Sequence, residues 1–124
     1  MTLEELRRYI AEQYGIEPEY LFKRYPDIAV FRRPDSGKWF ALTGVLERRK
    51  LGIAEDGRVE IVNLKLDPLI VEMLRSREGF RPAWHMNRER WITVLLDGPI
   101  EAEELHTFLD MSYGNVAPRV KARR

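Results

Sequence analysis

Apolar residues near the start of the chain recur every three or four positions, a spacing typical of the buried face of a helix. Thr2 and Glu5 are spaced as a capping box, in which each side chain accepts a hydrogen bond from the other residue's backbone N–H. Gly15 follows the last apolar position and is suited to end a helix. The sequence therefore predicts a first helix at about residues 3–14.

From residue 20 onward the pattern changes to short runs rich in aromatic and β-branched residues, which favour strands. Turn sequences containing Pro, Asp, Ser and Gly separate the first of these runs, so the strands are joined by short connections. Such connections predict an antiparallel meander. The predicted strands comprise residues 20–25, 28–33, 38–46 and 58–65, and a further apolar strand follows at residues 91–96.

The strand predicted at residues 38–46 is apolar on both of its faces. Strict alternation places Trp39, Ala41, Thr43 and Val45 on one face and Phe40, Leu42, Gly44 and Leu46 on the other. Helices can cover only one face of the sheet. We therefore expect loops or a partner to cover the apolar side chains on the second face.

Two further helices are predicted in the second half of the chain. Asp67 is a suitable N-cap, Pro68 is favourable in a first helical turn, and Gly79 is suited to end this helix. Its predicted buried stripe comprises Leu69, Ile70, Met73 and Leu74. A last helix is predicted at about residues 101–113, with acidic residues at its N-terminal end.

Helices at both ends of an antiparallel sheet predict an α+β fold of two layers, with the N- and C-terminal helices packed on one face. The 124-residue length suits one domain, which we place at residues 1–116. Residues 117–124 are basic and lack apolar periodicity. They predict a flexible tail.

The composition is that of an ordinary globular protein, with 44% apolar and 33% charged residues. No cysteine is present, which excludes disulfides, thiol nucleophiles and thiolate metal sites. No apolar run approaches the ~20 residues that span a bilayer. We expect a cytoplasmic protein without a membrane partner, either a monomer or a weak homodimer.

The net charge of +1 conceals a basic region in the middle of the chain. Basic residues cluster at the two hairpin loops, where they are Arg32, Arg33, Lys38, Arg48, Arg49 and Lys50. Loops with this charge can neutralise the phosphates of a duplex and release its counterions. Neighbouring acidic residues could instead pair with these side chains as part of a solvated surface.

No arrangement of residues typical of a catalytic or metal site is present. His85 and His106 lie far apart, and neither has a second ligand at a spacing that zinc sites use. Nucleophile elbows and glycine-rich phosphate loops are absent from the sequence. We expect no catalytic residues, no metal and no cofactor.

Residues 82–98 contain two of the three tryptophans and carry the most specific pattern in the chain. From His85 to Gly98 the sequence HMNRERWITVLLDG resembles the signature of the MmcQ/YjbR family, roughly H-[ML]-N-K-x-H-W-x-T-V-x-L-D-G. The segment Asn63-Leu64-Lys65 before an Asp-Pro helix start resembles a second landmark of that family. Arg88 replaces the usual Lys, and Arg90 replaces a His.

The resemblance covers about residues 2–115 and implies a CyaY-like, or frataxin-like, fold described as a double-wing DNA-binding arrangement. It implies binding of DNA. Together with the basic hairpin loops, this leads us to expect binding of double-stranded DNA, mainly through its phosphates and with low sequence specificity. The residues that the resemblance favours are Lys65, His85, Asn87 and Arg88, in addition to the basic hairpin residues. Two alternatives stay open: a protein-interaction module that uses an exposed sheet face, and a small-ligand binder or enzyme at residues 84–90.

Overall fold

The computed structural model describes residues 1–119 and contains three α-helices, a short 3-10 helix at Arg48–Leu51 and five strands within them. The elements in chain order are α1 (Leu3–Tyr14), β1 (Ala29–Arg32), β2 (Trp39–Glu47), β3 (Arg58–Lys65), α2 (Pro68–Arg75), β4 (Phe80–Pro82), β5 (Trp91–Leu95) and α3 (Ala102–Asn115). The predicted first helix is confirmed, including the capping box of Thr2 and Glu5 and the left-handed Gly15 at its end. No helix in this part of the chain is long and apolar enough to cross a membrane.

The five strands form one sheet in the order β1-β2-β3-β5-β4, and every neighbouring pair is antiparallel. The predicted meander is confirmed for β1, β2 and β3. The chain then crosses through α2 to the far edge, forms the short strand β4, and returns between β4 and β3 as β5. The sequence analysis did not predict β4, because three residues carry too little pattern to indicate a strand.

All three α-helices contribute to one core on a single face of the sheet. Leu6 and Ile10 of α1, Val71 of α2, and Leu105 and Leu109 of α3 are fully buried there. Side chains from β1, β2, β3 and β5 complete this core. The predicted α+β fold with two layers is therefore confirmed.

A second apolar cluster lies on the opposite face of the sheet. It comprises Ile28, Val30, Leu42, Leu46, Leu51, Val59, Ile61 and Trp84. The loops around Tyr25, Leu51 and Trp84 pack against the strand residues, so the expectation of a covered second face is confirmed. Loops therefore cover much of the sheet face on which the protein-interaction alternative relied.

Strict alternation fails at Phe40, which packs on the helical side together with its neighbour Ala41. Phe31 pairs with Ala41 and Arg32 pairs with Trp39, so Phe40 is the extra residue of a β-bulge. The bulge turns Phe40 into the main core and leaves Trp39 on the opposite face. The predicted facings of Phe40 and Trp39 were therefore both wrong, because each lies on the face opposite to the one that strict alternation assigns.

Three other local predictions were wrong. Residues 20–25 form no strand, and a single bridge between Glu19 and Val30 replaces the expected ladder. In α2, Leu74 is buried as predicted, but Leu69 and Met73 are 72% and 73% exposed, because the helix turns Val71 toward the sheet. The helix also ends at Arg75, before Gly79.

The C-terminal end of α3 is anchored to the sheet. The hydroxyl of Ser112 donates to the Phe40 carbonyl at 2.6 Å and accepts from the Lys65 N–H at 2.8 Å. Val116 is fully buried in the helical core. The predicted flexible tail falls mainly on residues 120–124, which lie outside the described residues.

Candidate nucleic-acid interface

Two of the predicted contacts near the first hairpin are engaged within the protein. Arg32 donates to both carboxylate oxygens of Glu19, at 3.0 and 3.2 Å. Arg33 binds both oxygens of Asp35, at 2.9 and 2.8 Å. The guanidinium of Arg33 lowers the pKa of Asp35 below its ordinary value through these hydrogen bonds, and the carboxylate raises the pKa of Arg33. Both arginines therefore have structural partners that a phosphate would have to displace.

The loop between β2 and β3 uses two of its basic residues in the same way. Arg48 pairs with Asp97 at 2.5 Å and is mostly buried. Arg49 donates twice to one oxygen of Asp56, at 2.6 and 3.1 Å, in an exposed ion pair. The Arg48 pair ties the loop to the end of β5, which gives this residue a structural role.

The two loops that flank β2 leave it at opposite ends, because β2 is the shared strand of two consecutive hairpins. Lys38 precedes β2, whereas residues 48–50 follow it. The sequence places both loops in one predicted interface. The structure separates Lys38 from Arg48 and Arg49 by the length of a nine-residue strand.

A single turn at residues 87–90 lies between two clefts. The side-chain oxygen of Asn87 accepts from the N–H groups of Glu89 and Arg90, at 2.9 and 3.2 Å. Its carbonyl accepts from Trp91 N–H at 3.0 Å. Asn87 therefore caps this turn. The neighbouring Arg88 and Arg90 are exposed on this turn.

The first cleft, which we call the aromatic cleft, has a volume of about 380 Å³. It is lined by Tyr25, Lys50, Leu51, Pro82, Trp84, His85 and Arg88. The ring of His85 lies 4.2 Å from that of Trp84, and Tyr25 meets Trp84 edge-on at 5.2 Å. Lys50 lies over the Tyr25 ring, with its Nζ 4.9 Å from the ring centre. The cleft therefore combines aromatic walls with two cationic side chains.

The second cleft, the polar cleft, lies on the other side of the turn and has a volume of about 270 Å³. Its lining includes four basic side chains, Lys38, Lys65, Arg90 and Arg119. Asp67 also lines it, and its carboxylate accepts from Leu69 N–H as the N-cap of α2. Within residues 1–119, none of the four basic side chains forms an ion pair.

A buried hydrogen-bond network holds the wall of the aromatic cleft. Thr93 on β5 lies opposite Asn63 on β3, and its hydroxyl donates to Asn63 Oδ1 at 2.5 Å. The same hydroxyl accepts from Trp84 N–H at 3.0 Å, and Asn63 Nδ2 donates to the Trp84 carbonyl at 2.9 Å. Two hydrogen bonds thus fix the Trp84 backbone to two strands, and the third joins the two anchoring side chains. Asn63, a landmark of the family pattern, acts here as an anchor.

His85 is the one non-glycine residue with a positive φ within residues 1–119, at 55°. This left-handed conformation is disfavoured for a side chain with a Cβ and costs of order 1–3 kcal/mol. His85 comes directly after Trp84, whose backbone is fixed, and the left-handed conformation brings the His85 imidazole against the Trp84 ring. His85 therefore contributes to the shape of the aromatic cleft.

The predicted site residues divide into four groups. Lys50, His85 and Arg88 meet at the aromatic cleft, and Lys38 and Lys65 meet at the polar cleft. Asn87 positions the turn between them, and the remaining arginines of the prediction form ion pairs. Sequence analysis left Arg90 and Arg119 outside the predicted site. Arg90 lies on the turn that carries the family pattern, and this position in the sequence could have indicated that it belongs to the site.

Comparison with known families matches residues 4–115 to the YjbR family. The chain is 32% identical over 113 residues to the uncharacterized protein YyaQ of Bacillus subtilis, covering 91% of this chain and 96% of YyaQ. It is 35% identical over 127 residues to the uncharacterized protein YjbR of Escherichia coli K12, covering 99% and 96% of the two chains.

Solved structures support the same relationship. A crystal structure of a Pseudomonas syringae protein matches with a TM-score of 0.90 at 40% identity, covering 94% of this chain and 99% of that one. Deinococcus radiodurans protein DR2400 matches with a TM-score of 0.67 at 29% identity, covering 90% of this chain and 75% of that one. The predicted resemblance is confirmed, and the chain belongs to the YjbR family.

Proposed function

We propose that this protein binds DNA through its phosphate groups, with little sequence specificity, and that the two clefts beside the Asn87 turn are the contact surface. The observation that carries the proposal is the presence there of six basic side chains that form no ion pair within residues 1–119. These are Lys38, Lys50, Lys65, Arg88, Arg90 and Arg119.

The pairing of the other arginines supports this choice of surface. Phosphate binding by Arg48 or Arg33 would break an existing contact with a carboxylate. Binding by Lys65 or Arg90 breaks no ion pair formed by residues 1–119, so the release of counterions contributes fully to the affinity. The clefts are therefore a better phosphate-binding surface than the ion-paired arginines of the two hairpin loops.

Charge reversal tests both the function and its location. A labelled 20-mer, single-stranded and as a duplex, is titrated at low salt with wild type, Arg90→Glu and Arg49→Glu. Both variants change the net charge by the same amount, and both side chains are exposed. We expect Arg90→Glu to weaken binding about tenfold, since it removes a phosphate contact from the polar cleft. Arg49→Glu, in the loop between β2 and β3, should change it less than about threefold.

Circular dichroism and thermal melting of each variant establish that it is folded. Absence of binding by wild type to either form of DNA at low salt would overturn the proposed function. A larger effect of Arg49→Glu than of Arg90→Glu would overturn the assignment to the clefts and return the contact surface to the hairpin loops.

A further inference from the structure

A smaller apolar pocket of about 180 Å³ adjoins the aromatic cleft. Tyr25, Trp84 and His85 line both spaces. The other residues around the pocket are Phe22, Trp39, Leu42 and Met86. Five of its seven lining side chains are therefore aromatic, and its polar neighbour contains the cations Lys50 and Arg88.

We propose that this combined site binds one nucleotide unit, with an unpaired base in the apolar pocket and its phosphate beside Lys50 and Arg88. The inference rests on the proposed function and specifies the form of nucleic acid that the protein prefers. A strand with unpaired bases can place a base in the pocket. A base within a duplex must first leave the stack.

The size and lining of the pocket favour a single planar ring system. A cavity of about 150 Å³ admits a benzene ring, so a pocket of about 180 Å³ is on the scale of one base and excludes a base pair. Bases stack favourably on aromatic side chains whatever their sequence, because every base has a π-face. Phe22 is 37% exposed, so part of its ring is accessible from solvent.

Charge complementarity supports the second half of the site. Lys50 Nζ has Tyr25 as its partner, at 3.4 Å from the hydroxyl oxygen, and forms no ion pair within residues 1–119. Arg88 is exposed and is likewise unpaired there. The site thus has an apolar part and a cationic part. A nucleotide matches both, because it joins a planar ring to an anionic phosphate.

The site is also preorganised. The Trp84 backbone is fixed by Asn63 and Thr93, and His85 is held against the Trp84 ring. A wall that is ordered before binding reduces the entropy that a ligand must lose on association. A base can therefore bind between existing aromatic walls, and the sheet need not rearrange.

Abasic DNA separates base binding from phosphate binding. We compare an eight-residue oligoadenylate with an abasic strand of the same length and phosphate count, and with a matched duplex, by fluorescence anisotropy. The natural strand should bind at least about tenfold more tightly than the abasic strand, since stacking of one base accounts for an effect of this size. It should also bind more tightly than the duplex.

Equal affinities for the natural and abasic strands would overturn the base pocket while leaving phosphate binding in place. Absence of binding by every strand would overturn the proposed function.

Adenosine monophosphate and ribose 5-phosphate, titrated against tryptophan fluorescence, then distinguish a free nucleotide from a nucleotide within a strand. Binding of the monophosphate without binding of any strand would support the pocket and refute DNA as the ligand. If neither the monophosphate nor any strand binds, both the proposed function and the nucleotide site are overturned.

Phe22→Ser tests the location of the base, and Tyr20→Ser is its matched control. Both residues are exposed aromatics in the same segment, but only Phe22 lines the pocket. Phe22→Ser should reduce the difference between natural and abasic strands, and Tyr20→Ser should preserve it. Equal effects of the two variants would refute the assignment of the base to this pocket.

Discussion

Replacement of Thr93 by valine tests the network that fixes the aromatic cleft. The side chains of Thr93 and Asn63 are fully buried, and valine has nearly the shape of threonine without the hydroxyl. The substitution removes the acceptor for Trp84 N–H and the donor for Asn63 Oδ1. Two buried polar groups are then left without their partners.

The expected cost follows from these two groups. A buried donor or acceptor without a partner costs about 1–3 kcal/mol, and the added methyl group recovers about 0.8 kcal/mol. We therefore expect Thr93→Val to lower the free energy of unfolding by about 2–4 kcal/mol. A loss of that size leaves a protein of ordinary stability folded.

Urea unfolding followed by tryptophan fluorescence and circular dichroism measures this change. Thr107→Val is the matched control, because the Thr107 hydroxyl donates to the Glu103 carbonyl on an exposed face of α3. The control should change the free energy of unfolding by less than about 0.5 kcal/mol. A change of that small size for Thr93→Val as well would refute the anchoring role of the network.

Three further predictions concern stability. Hydrogen bonds from Arg77 lower the pKa of Glu104. The ion pair therefore stabilises the fold above the unfolded pKa of 4.5 and is lost as the pH falls through the lower folded value. Glu104→Gln should cost less than about 1 kcal/mol at pH 7, since the pair is partly exposed, and urea titrations should show this difference vanish in acid. A Cβ at Gly44 would lie 2.2 Å from Ile28 Cδ1, so Gly44→Ala should destabilise by about 1–3 kcal/mol, and Ile28→Val in the same chain should restore part of the loss. Asn87→Ala should cost about 1 kcal/mol in urea unfolding, because two backbone N–H groups lose their acceptor.

Local signals in the sequence were sufficient for most of the elements. The capping box at Thr2 and the Asp67-Pro68 start depend on neighbouring residues alone, and both are confirmed. The strand predicted at residues 58–65 rests on local composition in the same way, and it is confirmed as β3. Each of these features is decided within about one turn of chain.

The errors arose where distant contacts decide the outcome. Residues 20–25 are as aromatic as a strand, but Phe22 and Tyr25 line clefts instead of pairing in the sheet. On α2 the apolar positions allow two buried faces, and packing on the sheet selects the one with Val71. The bulge at Phe40 reverses the alternation that the sequence suggests.

The site was predicted in part for a similar reason. The ion pair between Arg48 and Asp97 joins residues far apart in the chain, and nothing in their local sequence indicates it. Lys38, Lys65 and Arg90 lie next to three different strands, and the strand order brings those strand ends to one end of the sheet. Composition identified the basic residues, and the topology identifies which of them remain unpaired within residues 1–119.

The salt dependence of DNA binding tests the central claim most directly. Six basic side chains line the two clefts, and each phosphate contact contributes about −0.9 for a duplex, or −0.7 for a single strand, to the slope of log K against log salt. We expect a slope of about −4 for a single strand and about −5 for a duplex with wild type, and a slope shallower by about one unit for Arg90→Glu. A slope near zero, or the same slope for both proteins, would contradict phosphate binding at these clefts.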